Sequence, residues 1–310
     1  MPLVGIGISS VRQSSGSAPV PYIVAEGGTI TRDGDYLVHF FPAGTFNFNV
    51  LSNNGGYSLS MLGAAAGAAG GGTNNGGAAG GGGGDVKEVS FVPTVRSYAL
   101  TVGSGGLTQG VESGLNGGNT TFETESGTET LLGGGGGGSG NNTVEGDGVS
   151  GGSGGGMGFN RAGVTGLAIG LGHNGGSTNS DGGGGGGGMG SVGQNCTSAI
   201  GGNGGTGLAS SISGTLKYYG CGGGGGSFLN ATPGLGGNST GGNGGYVSGG
   251  VLQNPTNPIA NSGSGGGGSA NDASVTVKTG TNGADGCVVV RYLSPSVVTS
   301  FNYETVLSNA

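Results

Sequence analysis

Tryptophan is absent from this 310-residue chain, aromatic residues make up 6 percent of it, and charged residues only 7 percent. With 32 percent of residues hydrophobic, a core built from side chains alone comes out thin, which argues against an ordinary globular enzyme. The low charge also removes the strong self-repulsion expected of a disordered chain. No apolar run approaches the ~18 to 20 residues of a membrane span, so no membrane insertion is expected. The opening Met-Pro-Leu-Val-Gly-Ile-Gly-Ile-Ser-Ser has no basic n-region and no long apolar h-region, and reads as lacking a secretory signal. Eight Lys and Arg against fifteen Asp and Glu leave a net charge of −7 and no basic stripe for nucleic acid. Cys196, Cys221 and Cys287 have no CxxC spacing. Free thiols in a cytoplasmically made protein are the simplest reading, and a Cys196–Cys221 bridge stays open.

What fills the space is glycine, 88 residues of it. It is concentrated between residues 61 and 290, while residues 291–310 contain none. The first 62 residues are instead rich in aromatics, and their strand signals are clear. Phe46, Phe48 and Val50 alternate with Thr45, Asn47 and Asn49; Tyr57, Leu59 and Met61 alternate with Ser58 and Ser60. Tyr36 to Phe41 is apolar on both sides, as in a doubly covered strand, and Asp33-Gly34 before it signals a hairpin turn. Val86–Val92, Ser97–Val102 and Cys287–Tyr292 also read as strands. No helical period is convincing, and Ala64–Ala69 is short and interrupted by Gly67.

Pure glycine runs occupy Gly80–Gly84, Gly133–Gly138, Gly182–Gly188, Gly222–Gly226 and Gly265–Gly268, with GGx triplets such as Gly201-Gly202-Asn203 and Gly241-Gly242-Asn243 around them. One such run is ordinarily a flexible linker. Five in one chain suggest polyproline-II-type helices of three residues per turn, bundled closely enough to pair their backbone groups. Ordering a glycine costs about 0.5–1 kcal/mol more than ordering an alanine, and a hydrogen bond nets about 0.5–1.5 kcal/mol. The lattice therefore has to be nearly complete. Pure runs fit its interior, and GGx triplets fit its edge, where one position in three faces outward. The expected fold is mainly irregular and β: a bundle, or sandwich, of polyglycine-II helices forming a slab, capped by a small antiparallel β-sheet region and without significant α-helix. Residues 1–26 read as an N-terminal attachment segment, 27–106 as the strand-rich cap, 107–282 as the glycine bundle with its loops, and 283–310 as the closing strand and tail.

No catalytic constellation emerges, so no enzyme, cofactor or metal is expected. His39 lies inside an apolar strand and reads as packed; His173, in Leu171-Gly172-His173-Asn174, reads as solvated. GxGxxG matches carry no information at this glycine content, and no GK[ST] ending exists. The acidic stretch Glu112 to Glu145 has no Lys or Arg within it, and suits either a solvated loop or a contact with a cation or basic partner. N-x-[ST] sequons at Asn119, Asn141, Asn195, Asn230 and Asn238 are what an Asn/Ser/Thr-rich chain gives by chance.

Three segments form an ordered pattern: Gly27-Gly28-Thr29-Ile30-Thr31 with Tyr36-Leu37-Val38-His39-Phe40-Phe41 and Gly44-Thr45-Phe46; Tyr98-Ala99-Leu100-Thr101-Val102-Gly103-Ser104-Gly105-Gly106; and Gly283-Ala284-Asp285-Gly286-Cys287-Val288-Val289-Val290-Arg291-Tyr292. This pattern, over about residues 27–292, resembles the glycine-rich domain of bacteriophage tail and receptor-binding proteins. The glycine zone is also similar to the polyglycine-II sandwich of phage tail-fibre tip adhesins. The resemblance implies a virion protein made in the host cytoplasm, a host-receptor-binding adhesin at a tail fibre or spike tip. Its partners would be a bacterial outer-membrane protein or polysaccharide and, through the termini, other virion proteins. It also implies a structural position for His39. A purely structural virion component (a spike, decoration or fibre connector) and, more remotely, a glycine-helix antifreeze protein are the alternatives. Loops on a rigid platform are where binding residues sit. Those at Leu107–Leu132, Phe159–Asn174, Thr206–Tyr219, Ser227–Pro233 and Val251–Asn261 offer Phe122, Phe159, Tyr218, Tyr219 and Phe228 as receptor contacts, or as plugs that seal the bundle.

Overall fold

The computed structural model describes residues 22–141, 146–159, 164–178, 180–271 and 278–295. Most of the expected N-terminal attachment segment and most of the C-terminal tail lie outside the described residues. Among the described residues there is no α-helix. Ten strands form two five-stranded antiparallel sheets. The first runs in the order β1 (Val24–Glu26), β4 (Gly44–Ser52), β7 (Ser97–Val102), β8 (Thr120–Thr124), β9 (Gly127–Leu131). The second runs in the order β2 (Thr29–Asp33), β3 (Tyr36–Phe41), β14 (Cys287–Leu293), β5 (Leu59–Ala64), β6 (Val86–Phe91). Two hairpins, β10 (Leu208–Ser210) with β11 (Lys217–Tyr219) and β12 (Tyr246–Ser248) with β13 (Val251–Gln253), form separate two-stranded sheets.

The two sheets share one side-chain core. Phe48 and Val50 from β4, Tyr98 and Leu100 from β7, Phe122 from β8 and Leu131 from β9 meet Phe41, Leu59, Met61, Val290 and Tyr292 from the second sheet. This is the alternating pattern of Phe46–Val50 realised as one buried face. The second sheet is covered on its other face too, where Val38, Leu62, Val86 and Val289 pack against Ile212 and Tyr219 of the β10–β11 hairpin region. That double cover is why Tyr36–Phe41 is apolar throughout. The Asp33-Gly34 signal is a two-residue turn between β2 and β3, with Gly34 at φ 58°.

Beyond the sheets the chain threads a lattice whose hydrogen bonds recur every third residue. In the segment 76–85, the N–H groups of Gly77, Gly80 and Gly83 donate to Asp181, Gly184 and Gly187, those of Ala78, Gly81 and Gly84 to Ser269, Gly266 and Gly263, and those of Ala79, Gly82 and Asp85 to Gly138, Gly135 and Leu132. Its carbonyls accept in the same rhythm from Phe159, Gly156 and Ser153, from Gly226 and Gly223, and from Gly71, Ala68 and Ala65. The segment is thus a threefold helix bonded to six others. Those six are also bonded to each other in a closed ring, for example Gly134 to Ala66, Gly135 to Ser153, Gly184 to Met157, Gly183 to Gly226, Gly265 to Cys221 and Gly266 to Ala68. The expected slab is therefore a hexagonal bundle, because three N–H and three C=O directions per turn call for six surrounding backbones.

Glycine is required there by distance. A Cβ on Gly80, Gly81 or Gly82 would lie 2.1, 2.3 and 2.3 Å from the carbonyl oxygens of Gly223, Ala68 and Ser153. In the ring helix 65–71 the spacing relaxes toward the gaps between helices. Ala65, Ala66, Ala68 and Ala69 fit there fully buried, whereas a Cβ on Gly67 or Gly70 would lie 2.1 and 2.2 Å from the carbonyl oxygens of Ser264 and Gly267. The alanine stretch is thus an Ala-Ala-Gly version of the same helix.

The GGx triplets form an outer layer around that ring, where a helix lacks neighbours on one side. Asparagine side chains take the missing places. Asn116 and Asn119 Oδ1 accept from Gly136 and Gly133, Asn203 Oδ1 from Leu235, Asn243 Oδ1 from Gly236 and Asn282 Oδ1 from Thr108. An amide carbonyl one side chain away reproduces the backbone carbonyl that an added helix would supply.

Candidate functional site

The molecule has two ends. Strand β5 leads from Leu59 toward the bundle, which it enters at Ala65, and β14 leaves the bundle at Cys287 and runs back to Leu293 beside Leu59. Tyr22 packs against Tyr57 with ring centroids 4.9 Å apart, so both described chain ends lie at the sandwich end, away from the bundle. The central helix spans nine residue steps from Gly76 to Asp85, roughly 28 Å at about 3.1 Å per residue. Its Gly76 end is the tip farthest from the sheets.

The five candidate aromatics divide among three places. Phe122 is not on a loop: it sits in β8, fully buried in the sandwich core, where a Cβ on Gly63 would meet its ring. Most of the expected loop Leu107–Leu132 is the β8–β9 hairpin and a rim helix, so Phe122, contrary to expectation, has no surface to offer a receptor. Phe159 and Phe228 come together at the tip, half-buried, with ring centroids 6.4 Å apart, and Phe159 packs under Gly76. Tyr218 and Tyr219 lie at the other end of their glycine run, next to the sheets. Tyr219 faces inward and is buried against the second sheet, so it too is withdrawn as an exposed contact. Tyr218, on the opposite side of the strand, is half-buried and open to a cleft.

That cleft has a volume of about 330 Å³ and forms where two of the candidate loops converge. Its lining takes in Leu216, Lys217 and Tyr218 of the hairpin region, Ile259, Ala260 and Asn261 of the later loop, and Phe40 and Tyr219 of the packed layer between hairpin and sheet. Leu216 and Ile259 remain more than half exposed. Burial pushes the Tyr219 hydroxyl up to about 12, so it stays protonated.

Other titratable groups are absorbed by the structure. His39 Nδ1 lies 2.8 Å from Gly27 O, which requires a proton on Nδ1, and Nε2 then accepts from Tyr292 Oη at 2.9 Å. Burial holds its pKa below the usual histidine value. His173 is half-buried, with Nδ1 3.1 Å from Gly188 O. Three acids of the acidic stretch have partners within the chain: Glu123 pairs with Arg96 at 2.9 Å, Glu125 joins Tyr98 and Thr94, and Glu129 pairs with Lys87 at 2.7 Å, while Glu145 lies outside the described residues. Cys196, Cys221 and Cys287 are all free and buried; burial pushes Cys221 to about 11 and Cys287 to about 12. Cys196 lies toward the tip, beside Thr178, and Cys221 at the sheet end, so the bridge left open from sequence does not form.

One group escaped the sequence reading. Asp85 ends the central helix and is 2 percent exposed; its carboxylate accepts from Leu132 N at 3.1 Å and Leu171 N at 2.7 Å, and burial nevertheless raises its pKa. Its only signal was an acid placed directly between a pure glycine run and an apolar strand.

The sequence model of the family described as a glycine-rich domain matches residues 41–293. The chain belongs to that glycine-rich domain family. The match starts at the last residue of β3 and ends at the last residue of β14, so it takes in the whole bundle and every sandwich strand from β4 on, leaving out β1, β2 and most of β3. No curated protein matches the chain.

Proposed function

We propose that this glycine-rich domain is a phage virion protein, an adhesin at a tail fibre or spike tip that recognises the bacterial surface. The observation that carries the reading is polarity: both described chain ends lie at the sandwich end, and the Phe159–Phe228 pair lies at the opposite tip. The resemblance of the opening, middle and closing motifs to phage receptor-binding proteins supports the virion setting. A platform whose backbone groups are paired in three dimensions yields little under load, and aromatic rings with exposed neighbours Leu229 and Asn230 suit an envelope partner. The reading assigns no catalysis, no cofactor and no nucleic-acid partner, and leaves attachment to other virion proteins to the sandwich end.

The test is adsorption of the labelled, purified chain to a panel of bacterial strains, with Phe159→Ala/Phe228→Ala as the variant. Saturable binding to at least one strain, reduced tenfold or more in the variant at unchanged melting temperature, supports the adhesin. A second reading, a purely structural virion component, draws on the half-burial of the two rings as tip plugs. Binding to no strain, together with a lowered melting temperature in the variant, selects that reading.

A further inference from the structure

We propose that the cleft between the β10–β11 hairpin and residues 259–262 is a second binding site, distinct from the tip, and that it takes an acidic saccharide. Its 330 Å³ lies at the lower end of the range for small-ligand sites, about 300–1,000 Å³, and has room for one or two sugar rings. The walls carry the two features such a ligand needs. Tyr218, Leu216 and Ile259 offer an apolar surface for the C–H face of a pyranose, and Ser213, Thr240, Asn261 and Ser262 place polar groups around it. Asn261 is held at φ 54°, an uncommon conformation for a non-glycine residue, in the segment that closes the cleft.

Charge decides between neutral and acidic sugars. Lys217 is the single charged residue among the described residues that line the cleft, in a chain whose net charge is −7. Aspartates and glutamates are absent from that lining; of the acids nearby, Asp33 is engaged by Arg291 at 2.7 Å and Glu88 accepts from Ser210 Oγ at 2.9 Å. A carboxylate on the ligand would therefore have Lys217 as its one charged partner among the lining residues, with no acid of the lining competing for it. The choice of a saccharide over other small anions rests on the adhesin reading above; the cleft and its charge do not.

The experiment is titration of the full chain with digalacturonic acid and with neutral galactobiose, followed by calorimetry or ligand-observed NMR. The expected result is at least tenfold tighter binding of the acidic disaccharide, weakening as salt rises. Lys217→Gln should remove the preference, Tyr218→Ala should weaken both ligands about tenfold or more, and Phe159→Ala should leave both unchanged. Equal affinity for the two sugars, no binding of either, or acidic-sugar binding that survives both cleft variants overturns the proposal. Because cell adsorption is read separately through the Phe159/Phe228 variant, a failed titration with intact adsorption rejects the cleft alone. Lost adsorption with intact titration rejects the tip alone.

Discussion

The sandwich and the bundle solve the same problem, removing backbone and side chains from water, by opposite means. In the sandwich, backbone groups pair within flat sheets and the two sheets are joined by large side chains: Phe41, Phe48, Tyr98, Phe122 and Tyr292 are all at most 1 percent exposed. In the bundle small residues take that place, with Met157 a rare large side chain buried there, and backbone pairs with backbone in six directions. A side-chain core adjusts to a lost methylene by partial collapse. A backbone core has no side chain to move, so an added carbon is worse for it than a removed one is for the sandwich. The difference also sets where function can be carried, since the few side chains inside the bundle, such as Ser153 and Cys221, are closed off from solvent, and only its ends and rim offer accessible ones.

The sharpest way to break this contrast is to add atoms to the bundle. Gly185→Val places a Cβ 2.0 Å from Asn203 O and disturbs the Gly185 N–H bond to Gln194. Overpacking plus buried unpaired groups should cost about 4–5 kcal/mol or prevent folding. A melting temperature within a few degrees of wild type would reject the packed lattice. Removing atoms from the sandwich should cost somewhat less: Phe122→Ala is expected to lose about 3–4 kcal/mol in denaturant unfolding while the protein remains folded. A rim change should cost least of the three. Asn203→Val leaves the outward position free of clashes but strips the cap from Leu235 N–H, for about 1 kcal/mol. If that variant matched Gly185→Val, interior and rim would not differ as the hydrogen bonds say they do.

Acid titration separates the two regions more finely. His39, in the sandwich, has its folded pKa lowered by burial, so the unfolded state binds more protons as pH falls below about 6.5. Its contribution is fully present above that pH and is lost on acidification. Asp85, at the bundle's end, has its pKa raised by burial, so the folded state binds more protons above the usual carboxylate value. That contribution runs the other way, toward greater stability as pH falls. Thermal melts from pH 7 to pH 4 should show the acid loss shrink in His39→Gln and leave the Asp85 trend exposed. An unchanged slope in that variant would remove His39 from the balance.

Much of this was readable from residues. Three-residue logic placed the pure runs inside and the GGx triplets outside, since only glycine lets backbones approach to bonding distance on every side. Alternation at Phe46–Val50 and the two-sided apolarity of Tyr36–Phe41 gave one strand facing a single core and one covered twice. The β8–β9 hairpin was not readable, because Thr120–Thr124 and Gly127–Leu131 are mostly polar; the pattern's only apolar anchors were Phe122 and Leu131, with Gly127 after the turn as a weak marker. Without that hairpin in view, the sequence places Phe122 on a loop.

The division has a physical basis. Steric demand is local, so the sequence by itself determined that the pure glycine runs are packed helices and that the strongly alternating or doubly apolar segments are strands. Which helices meet is a matter of long-range pairing between identical residues, and identical residues carry no address. Only the tertiary structure decided that segment 76–85 is central, that a ring of six closes around it, and that asparagine amides finish its rim. The same pairing set Phe159 beside Phe228 at one end and brought Tyr218 and Lys217 against Ile259 and Asn261 at the other, partners 41 to 69 positions apart in a chain whose intervening glycines could have led anywhere.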